Sequence, residues 1–145
     1  LQKVKYLNVD STLLEHTEGK AIKVISLLLY DLPPDRKCKI IFMTRDVQQI
    51  IASQSAMLAC SDIRAADSRE LEHTYRIHLE RIRLWIEMQK NLDVIYCNYN
   101  EIVEDTLTGL ALLPSFLEMF FDINKAAQAV RPAMHHQRGI TNVQK

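Results

Sequence analysis

Short apolar runs that give way at once to helical periodicity are the feature that most restricts the fold of this chain. In KIIFMTRDVQQIIASQ (39–54), an apolar run ends at Thr44, and helical spacing of apolar residues begins after Asp46. Similar runs occur at AIKVIS (21–26) and LDVIYCN (92–98), with long amphipathic stretches between them. Apolar strands that alternate with helices are typical of a parallel sheet covered by helices. We therefore predict an α/β fold with three parallel strands flanked by helices.

The segments between these runs have the residue spacing and end residues of helices. Helices are predicted at 3–17, at about 46–60, at about 68–89, at 106–121 and at 124–130, with a short one at 27–34. Pro114 must lie near a helix start or cause a kink. Residues 62–67 and the tail from Arg131 onwards are predicted to be irregular.

Length and composition limit the kind of protein. At 145 residues, with 48% hydrophobic and 25% charged residues, a single domain is the simplest organisation. A net charge of zero provides no general attraction to nucleic acid, and no apolar run is long enough for a membrane span. Three widely spaced cysteines form neither a zinc-ligand pattern nor a disulfide framework. We expect a cytoplasmic protein without a metal site or a nucleic-acid partner.

Arg45 is the main candidate binding residue, because it lies where a strand ends and a helix begins. Ligands of open α/β sheets bind outside the carboxyl ends of strands, where a helix N-terminus attracts anions. A guanidinium group there is well suited to phosphate. Ser53 lies about two turns into the helix on the same side as Asp46, so its hydroxyl can share the phosphate. The alternatives are a surface Arg45 paired with Asp46 or another carboxylate, and an ordinary helix serine at Ser53.

Three further polar residues stand out, and two of them have two interpretations each. Lys23 interrupts a predicted strand, and it either points outward from an edge or meets an anion. Tyr99 follows the third strand, and it either contacts a ligand or packs on the next helix. His78 lies in the apolar stripe of the long helix and is most simply a core histidine. No Ser, His and Asp arrangement indicates nucleophilic catalysis, and no GxxxxGK phosphate loop is present.

The segment CKIIFMTRDVQQIIASQ (38–54) resembles the 3′-phosphate-binding segment of sulfotransferases that use 3′-phosphoadenosine 5′-phosphosulfate (PAPS). In that family a strand ends in Arg, and a Ser follows eight positions later in the next helix. Arg45 and Ser53 keep that spacing. GKAIKVISLLLYDLPP (19–34) and HLERIRLWIEMQKNLDVIYCNYNEIVED (78–105) are similar to a bacterial-type branch of the family. The resemblance implies that Arg45 and Ser53 hold the 3′-phosphate and that Tyr99 lies near the adenine.

Two other residues take roles from the same resemblance. The tail AVRPAMHHQRG resembles the end of that branch, which implies that Arg138 belongs to a basic loop closing on the 3′-phosphate. Lys23 matches a lysine that precedes a catalytic His by two positions in cytosolic members, but Ile25 occupies the His position here. Lys23 is therefore the remaining candidate for stabilising charge on the transferred group.

The family's 5′-phosphosulfate loop has no counterpart in this sequence. The resemblance therefore implies the sulfotransferase version of the P-loop nucleoside triphosphate hydrolase-like fold, lacking its N-terminal strand and phosphate loop. Residues 1–145 would form one partial domain, which we expect to be inactive by itself.

The implied reaction of the complete enzyme is transfer of a sulfuryl group from PAPS to an acceptor hydroxyl or amine, leaving adenosine 3′,5′-bisphosphate. A catalytically inactive nucleotide-binding or structural relative is the first alternative. A nucleotide or nucleoside kinase of similar fold is the second, and it requires a GK-type phosphate loop.

Overall fold

A computed structural model describes Thr17, residues 19–59 and residues 68–130, without the side chains of 54–59 and Ser68. Three sequence predictions lie outside these residues: the helix at 3–17 apart from Thr17, the loop at 62–67, and the tail that contains Arg138. The described part is a mixed α/β structure with a small parallel sheet. No helix within it has the length and apolar character needed to cross a membrane.

The sheet consists of two parallel strands, β1 and β2. β1 (Cys38–Thr44) pairs with β2 (Leu92–Asn98) in one continuous register, from Cys38 opposite Leu92 to Thr44 opposite Asn98. The described helices in chain order are a 3₁₀ helix (Ser26–Asp31), α1 (Val47–Ala59), α2 (Ser68–Glu87), α3 (Tyr99–Glu104), α4 (Thr106–Leu110), α5 (Leu113–Leu117) and α6 (Ile123–Ala127).

Most of the predicted elements are confirmed, with their ends shifted by a few residues. Both strands and the helices α1 and α2 form where their periodicity places them. The helix predicted over 106–121 is instead split into α4 and α5, and Pro114 lies in the first turn of α5. Proline is accepted there because the first-turn N–H groups have no partner within the helix.

The strand predicted at 21–26 is wrong. Residues 21–25 are irregular, and Ser26 already begins the 3₁₀ helix. Ile22 and Ile25 are exposed, and only Val24 of this run packs against the core. An apolar run becomes a strand only where a neighbouring strand supplies its hydrogen bonds, and the described sheet provides none here. The described sheet therefore has two strands rather than three.

Two apolar clusters cover opposite faces of the sheet. One joins the 3₁₀ helix and α2 to β1 through buried side chains, which are Leu29, Phe42, Ile82 and Ile86. The other joins β2 to α3, α4 and α5, through Cys97, Ile102, Leu110 and Leu113. β1 is less well covered on the second face, where Ile41 and Met43 are 37% and 49% exposed.

The connection from α2 to β2 fixes the direction of α2. α2 ends at Glu87 and β2 begins at Leu92, so the helix runs back alongside the strand that follows it. Its N-terminal half therefore lies toward the carboxyl ends of both strands. That edge of the sheet is where Arg45 and Tyr99 are found.

Candidate functional site

The carboxyl edge of the sheet brings Arg45 and Tyr99 together. Thr44 and Asn98 are partners in the register, and the two candidate residues come directly after them. Thr44 also donates its hydroxyl to the carbonyl oxygen of Cys97 at 3.2 Å, which ties the two strand ends to each other. The register of the sheet thus places the two side chains side by side.

Arg45 is held over the face of the Tyr99 ring. Its guanidinium carbon lies 4.8 Å from the ring centre, a distance at which a cation is attracted to an aromatic face. Its Nε donates a hydrogen bond to Oε1 of Gln49 at 3.0 Å. A guanidinium carries four more N–H donors on its terminal nitrogens. Both Arg45 and Tyr99 are half-buried, so the positive charge lies at a partly shielded surface.

Asp46 caps α1 instead of pairing with Arg45. Its carboxylate accepts a hydrogen bond from the backbone N–H of Gln49 at 3.1 Å, as expected of an N-cap aspartate. Ion pairs form between Lys39 and Glu118 and between Arg76 and Glu72, and no described carboxylate is paired with Arg45.

Gln49 links Arg45 to the face of α1 that carries Ser53. Gln49 accepts the hydrogen bond from Arg45 and precedes Ser53 by four residues, and residues four apart in a helix lie on one side of it, about 6 Å apart along its axis. Ser53 is half-buried on that side. The structure thus places Ser53 one turn beyond the residue that Arg45 contacts, while the direct contacts of Arg45 are with Gln49 and Tyr99.

A polar cap fixes the start of α3 and, with it, Tyr99. The side chain of Asn98 accepts a hydrogen bond from the backbone N–H of Asn100 at 2.9 Å. This cap makes Tyr99 the first residue of a helix that starts directly at the strand end. We did not predict α3 from the sequence, although the Asn at position 98 is a good N-cap residue.

The remaining predicted residues do not join this contact in the described structure. Lys23 lies in the irregular stretch before the 3₁₀ helix and is exposed. Arg138 lies outside the described residues. The position proposed for each of them at the site stays a prediction.

The sequence patterns do not predict one polar pair that the structure contains. Ser26 Oγ and His78 Nε2 are 2.8 Å apart, and the two residues are separated by 52 positions in the chain. His78 is half-buried rather than fully enclosed. No local pattern joins Ser26 to His78, because their contact depends on how the 3₁₀ helix packs against α2.

Metal binding and thiol chemistry have no support in the described part of the chain. No group of three or more His, Cys, Asp and Glu side chains is placed there to hold a metal ion. Burial raises the pKa of the thiol of Cys97, and burial likewise raises that of Cys38 despite the nearby charge of Arg36. These thiols therefore remain protonated, which is the unreactive form.

Comparison with known proteins found no matching family model, no matching curated protein and no matching solved structure. The family resemblance consequently depends on the residues quoted above.

Proposed function

We propose that this chain binds the 3′-phosphate half of PAPS or adenosine 3′,5′-bisphosphate and forms part of a sulfotransferase. The single observation that carries the proposal is the placement of Arg45. Its guanidinium lies at the carboxyl edge of a parallel sheet, over an aromatic ring and outside any described ion pair. That combination provides positive charge where α/β proteins bind their ligands.

In this proposal each residue has a separate task. Arg45 contacts the 3′-phosphate with its terminal nitrogens, while Gln49 fixes the plane of the guanidinium through Nε. Ser53 adds a hydroxyl donor from the next turn of α1. Tyr99 supports Arg45 and borders the adenosine. Arg138 closes over the phosphate from the tail.

Sulfuryl transfer places its main demand on positioning and charge. The acceptor oxygen or nitrogen attacks sulfur as the bond from sulfur to the phosphate oxygen of PAPS breaks, and the leaving oxygen takes the electron pair. Fixed cations lower the energy of such a charge shift. Lys23 is the proposed cation for this task, because its exposed position leaves its ammonium accessible to a substrate.

Titration calorimetry with two nucleotides tests the proposal. We expect adenosine 3′,5′-bisphosphate to bind at least tenfold more tightly than adenosine 5′-monophosphate, which lacks the 3′-phosphate. Equal affinities would show that Arg45 does not recognise the 3′-phosphate. Absence of binding to either nucleotide would exclude the nucleotide site altogether.

Nucleotide binding without transfer is the second candidate function. It is favoured by Ile25, whose hydrocarbon side chain cannot exchange a proton at the position where the resembling cytosolic enzymes have a catalytic His. A transfer assay with radiolabelled PAPS separates the two candidates when it uses a longer form of the protein that also carries a 5′-phosphosulfate loop. Bisphosphate binding without labelled product would support the non-catalytic role.

A further inference from the structure

The Ser26–His78 pair is a hydroxyl and an imidazole within hydrogen-bonding distance, and neither residue is among the proposed nucleotide contacts. Ser26 Oγ lies 2.8 Å from His78 Nε2. With the ring proton on Nδ1, Nε2 accepts a hydrogen bond from the hydroxyl. This is the arrangement in which an imidazole acts as a base toward a serine nucleophile.

The two helices that carry the pair are fixed against each other by packing. Leu29 of the 3₁₀ helix belongs to the same buried cluster as Ile82 of α2. Tyr30 also meets Trp85 edge to face, with 4.9 Å between their ring centres. Because these contacts lie within about two turns of the pair, they hold the hydroxyl and the imidazole at a set separation.

The pair is also accessible from outside. Ser26 and His78 are both half-buried, and the neighbours of Ser26 in the chain, Ile25 and Leu27, are 57% and 63% exposed. Because Ser26 and His78 each keep part of their surface exposed, a small electrophile can approach the pair. The exposed apolar side chains offer a surface for a short hydrocarbon group rather than for a charged one.

We propose that Ser26 and His78 form a nucleophile–base pair that accepts acyl groups from small uncharged esters. Oγ of Ser26 attacks the ester carbonyl carbon, and its proton passes to Nε2 of His78. The bond from carbon to the leaving alcohol oxygen then breaks, and the alcohol takes the proton from the imidazolium. Water later attacks the acyl-serine with the same base, releasing the acid and restoring the hydroxyl.

Covalent labelling provides the test. The intact chain is treated with a small alkyl fluorophosphonate, whose phosphorus accepts the serine oxygen as fluoride leaves, and the labelled residue is located by peptide mass spectrometry. Release of p-nitrophenol from p-nitrophenyl acetate is followed in parallel. The variants are Ser26→Ala and His78→Gln, and the matched control is His73→Gln, which changes an exposed histidine of the same helix.

We expect the label on Ser26 in the wild-type chain and in His73→Gln. His78→Gln should slow labelling by about 100-fold or more, because a general base contributes roughly 10² to 10⁴ in rate. An unlabelled Ser26 would overturn the proposal, as would equal labelling rates in wild type and His78→Gln. In either case the hydrogen bond serves only to join the two helices.

A second measurement covers the possibility that Ser26→Ala or His78→Gln loses its cooperative thermal melt. In Ser26→Cys the hydroxyl is replaced by a thiol while His78 is kept, and His78 should make iodoacetamide alkylate that thiol faster in the folded chain than in the same chain unfolded in urea. Equal alkylation rates overturn the proposal. Neither readout involves a nucleotide, so the bisphosphate titration succeeds or fails independently of it.

Discussion

The guanidinium of Arg45 and the ring of Tyr99 lie 4.8 Å apart, although they follow different strands of the sheet. Their contact depends on the parallel register that pairs Thr44 with Asn98. Substitution of either residue should therefore alter the same contact, so variants of Arg45 and of Tyr99 test one site.

Replacement of Arg45 by Ala should remove most of the affinity for adenosine 3′,5′-bisphosphate. We expect a loss of about 10- to 100-fold, because hydrogen bonds to charged groups contribute roughly 1.5–3 kcal/mol. The loss of stability should be smaller, about 0.5–1 kcal/mol for a cation over an aromatic ring. Calorimetric titration and urea unfolding measure the two effects.

Arg83→Ala is the matched control for Arg45→Ala. Arg83 also lies over a tyrosine ring, with its guanidinium carbon 5.2 Å from the centre of Tyr96. Arg83→Ala should lose about as much stability as Arg45→Ala, and its affinity for adenosine 3′,5′-bisphosphate should equal that of the wild type. If Arg45→Ala unfolds the protein, Arg45 is a structural residue and its assignment to the nucleotide site fails.

Replacement of Tyr99 separates the ring from the hydroxyl. Tyr99→Phe keeps an aromatic face under Arg45 and should bind the bisphosphate nearly as well as wild type. Tyr99→Leu should bind it about two- to fivefold less tightly, since a cation–ring contact contributes roughly 0.5–1 kcal/mol. Equal affinities of the Phe and Leu variants in calorimetry would mean that the ring face does not position Arg45.

Gly109 allows α4 to approach α3 closely, so Gly109→Ala should destabilise the protein. A methyl group there would lie 2.7 Å from Cγ1 and 2.9 Å from Cα of Ile102. The backbone atom cannot move out of the way, and overpacking costs about 1–3 kcal/mol, more than the roughly 1 kcal/mol that alanine gains in a helix. Urea unfolding measures the difference.

Gly19→Ala is the control for Gly109→Ala, because the added methyl group is unfavourable there through the backbone conformation and not through a steric contact. Gly19 has a φ of +69° and open space around it, so alanine should cost only about 1–2 kcal/mol of backbone strain. In crystal structures of the two variants, we expect Ile102 to be displaced in Gly109→Ala. The neighbours of Gly19 should be displaced less in Gly19→Ala. An unchanged unfolding midpoint in Gly109→Ala would contradict the close approach.

Asp105 should make the stability of the protein depend on pH in the acid range. Hydrogen bonds from the side chain and backbone N–H of Thr108 hold the pKa of the Asp105 carboxyl below its usual value of 3.8. The folded protein therefore binds this proton less readily than the unfolded chain does. The stabilisation that the ionised Asp105 gives to the folded protein is complete at pH values above the usual pKa of 3.8. It is lost as the pH falls through the lower pKa of Asp105 in the folded state.

Urea unfolding of Asp105→Asn at neutral and acid pH checks this assignment. The variant should lose less stability than wild type on acidification, because it has no carboxylate to protonate. Thr108→Val, which removes the hydroxyl and keeps the N–H, should lie between the two. Parallel pH profiles for wild type and Asp105→Asn would show that the cap bonds do not favour the ionised form.

Local patterns were sufficient to predict the elements that create the edge of the site. The apolar runs of β1 and β2 and the periodicity of α1 and α2 placed both Arg45 and Tyr99 at strand ends. The run at 21–26 has the same composition, but it lacks a neighbouring strand in the described structure, so composition alone gave a wrong strand there.

Contacts between distant residues account for what the sequence did not predict. Arg45 meets Gln49 and Tyr99 because of a helix face and a strand register, and the spacing to Ser53 alone did not indicate either contact. Ser26 meets His78 through the packing of two helices around Leu29 and Ile82. Such pairs depend on tertiary structure, which a single sequence does not display.

The partly open face of β1 also has a consequence for handling the protein. Ile41 and Met43 are 37% and 49% exposed on that face. Exposed apolar side chains on a strand favour association with other extended chains. Ile41→Lys should therefore raise the protein concentration at which the chain begins to aggregate.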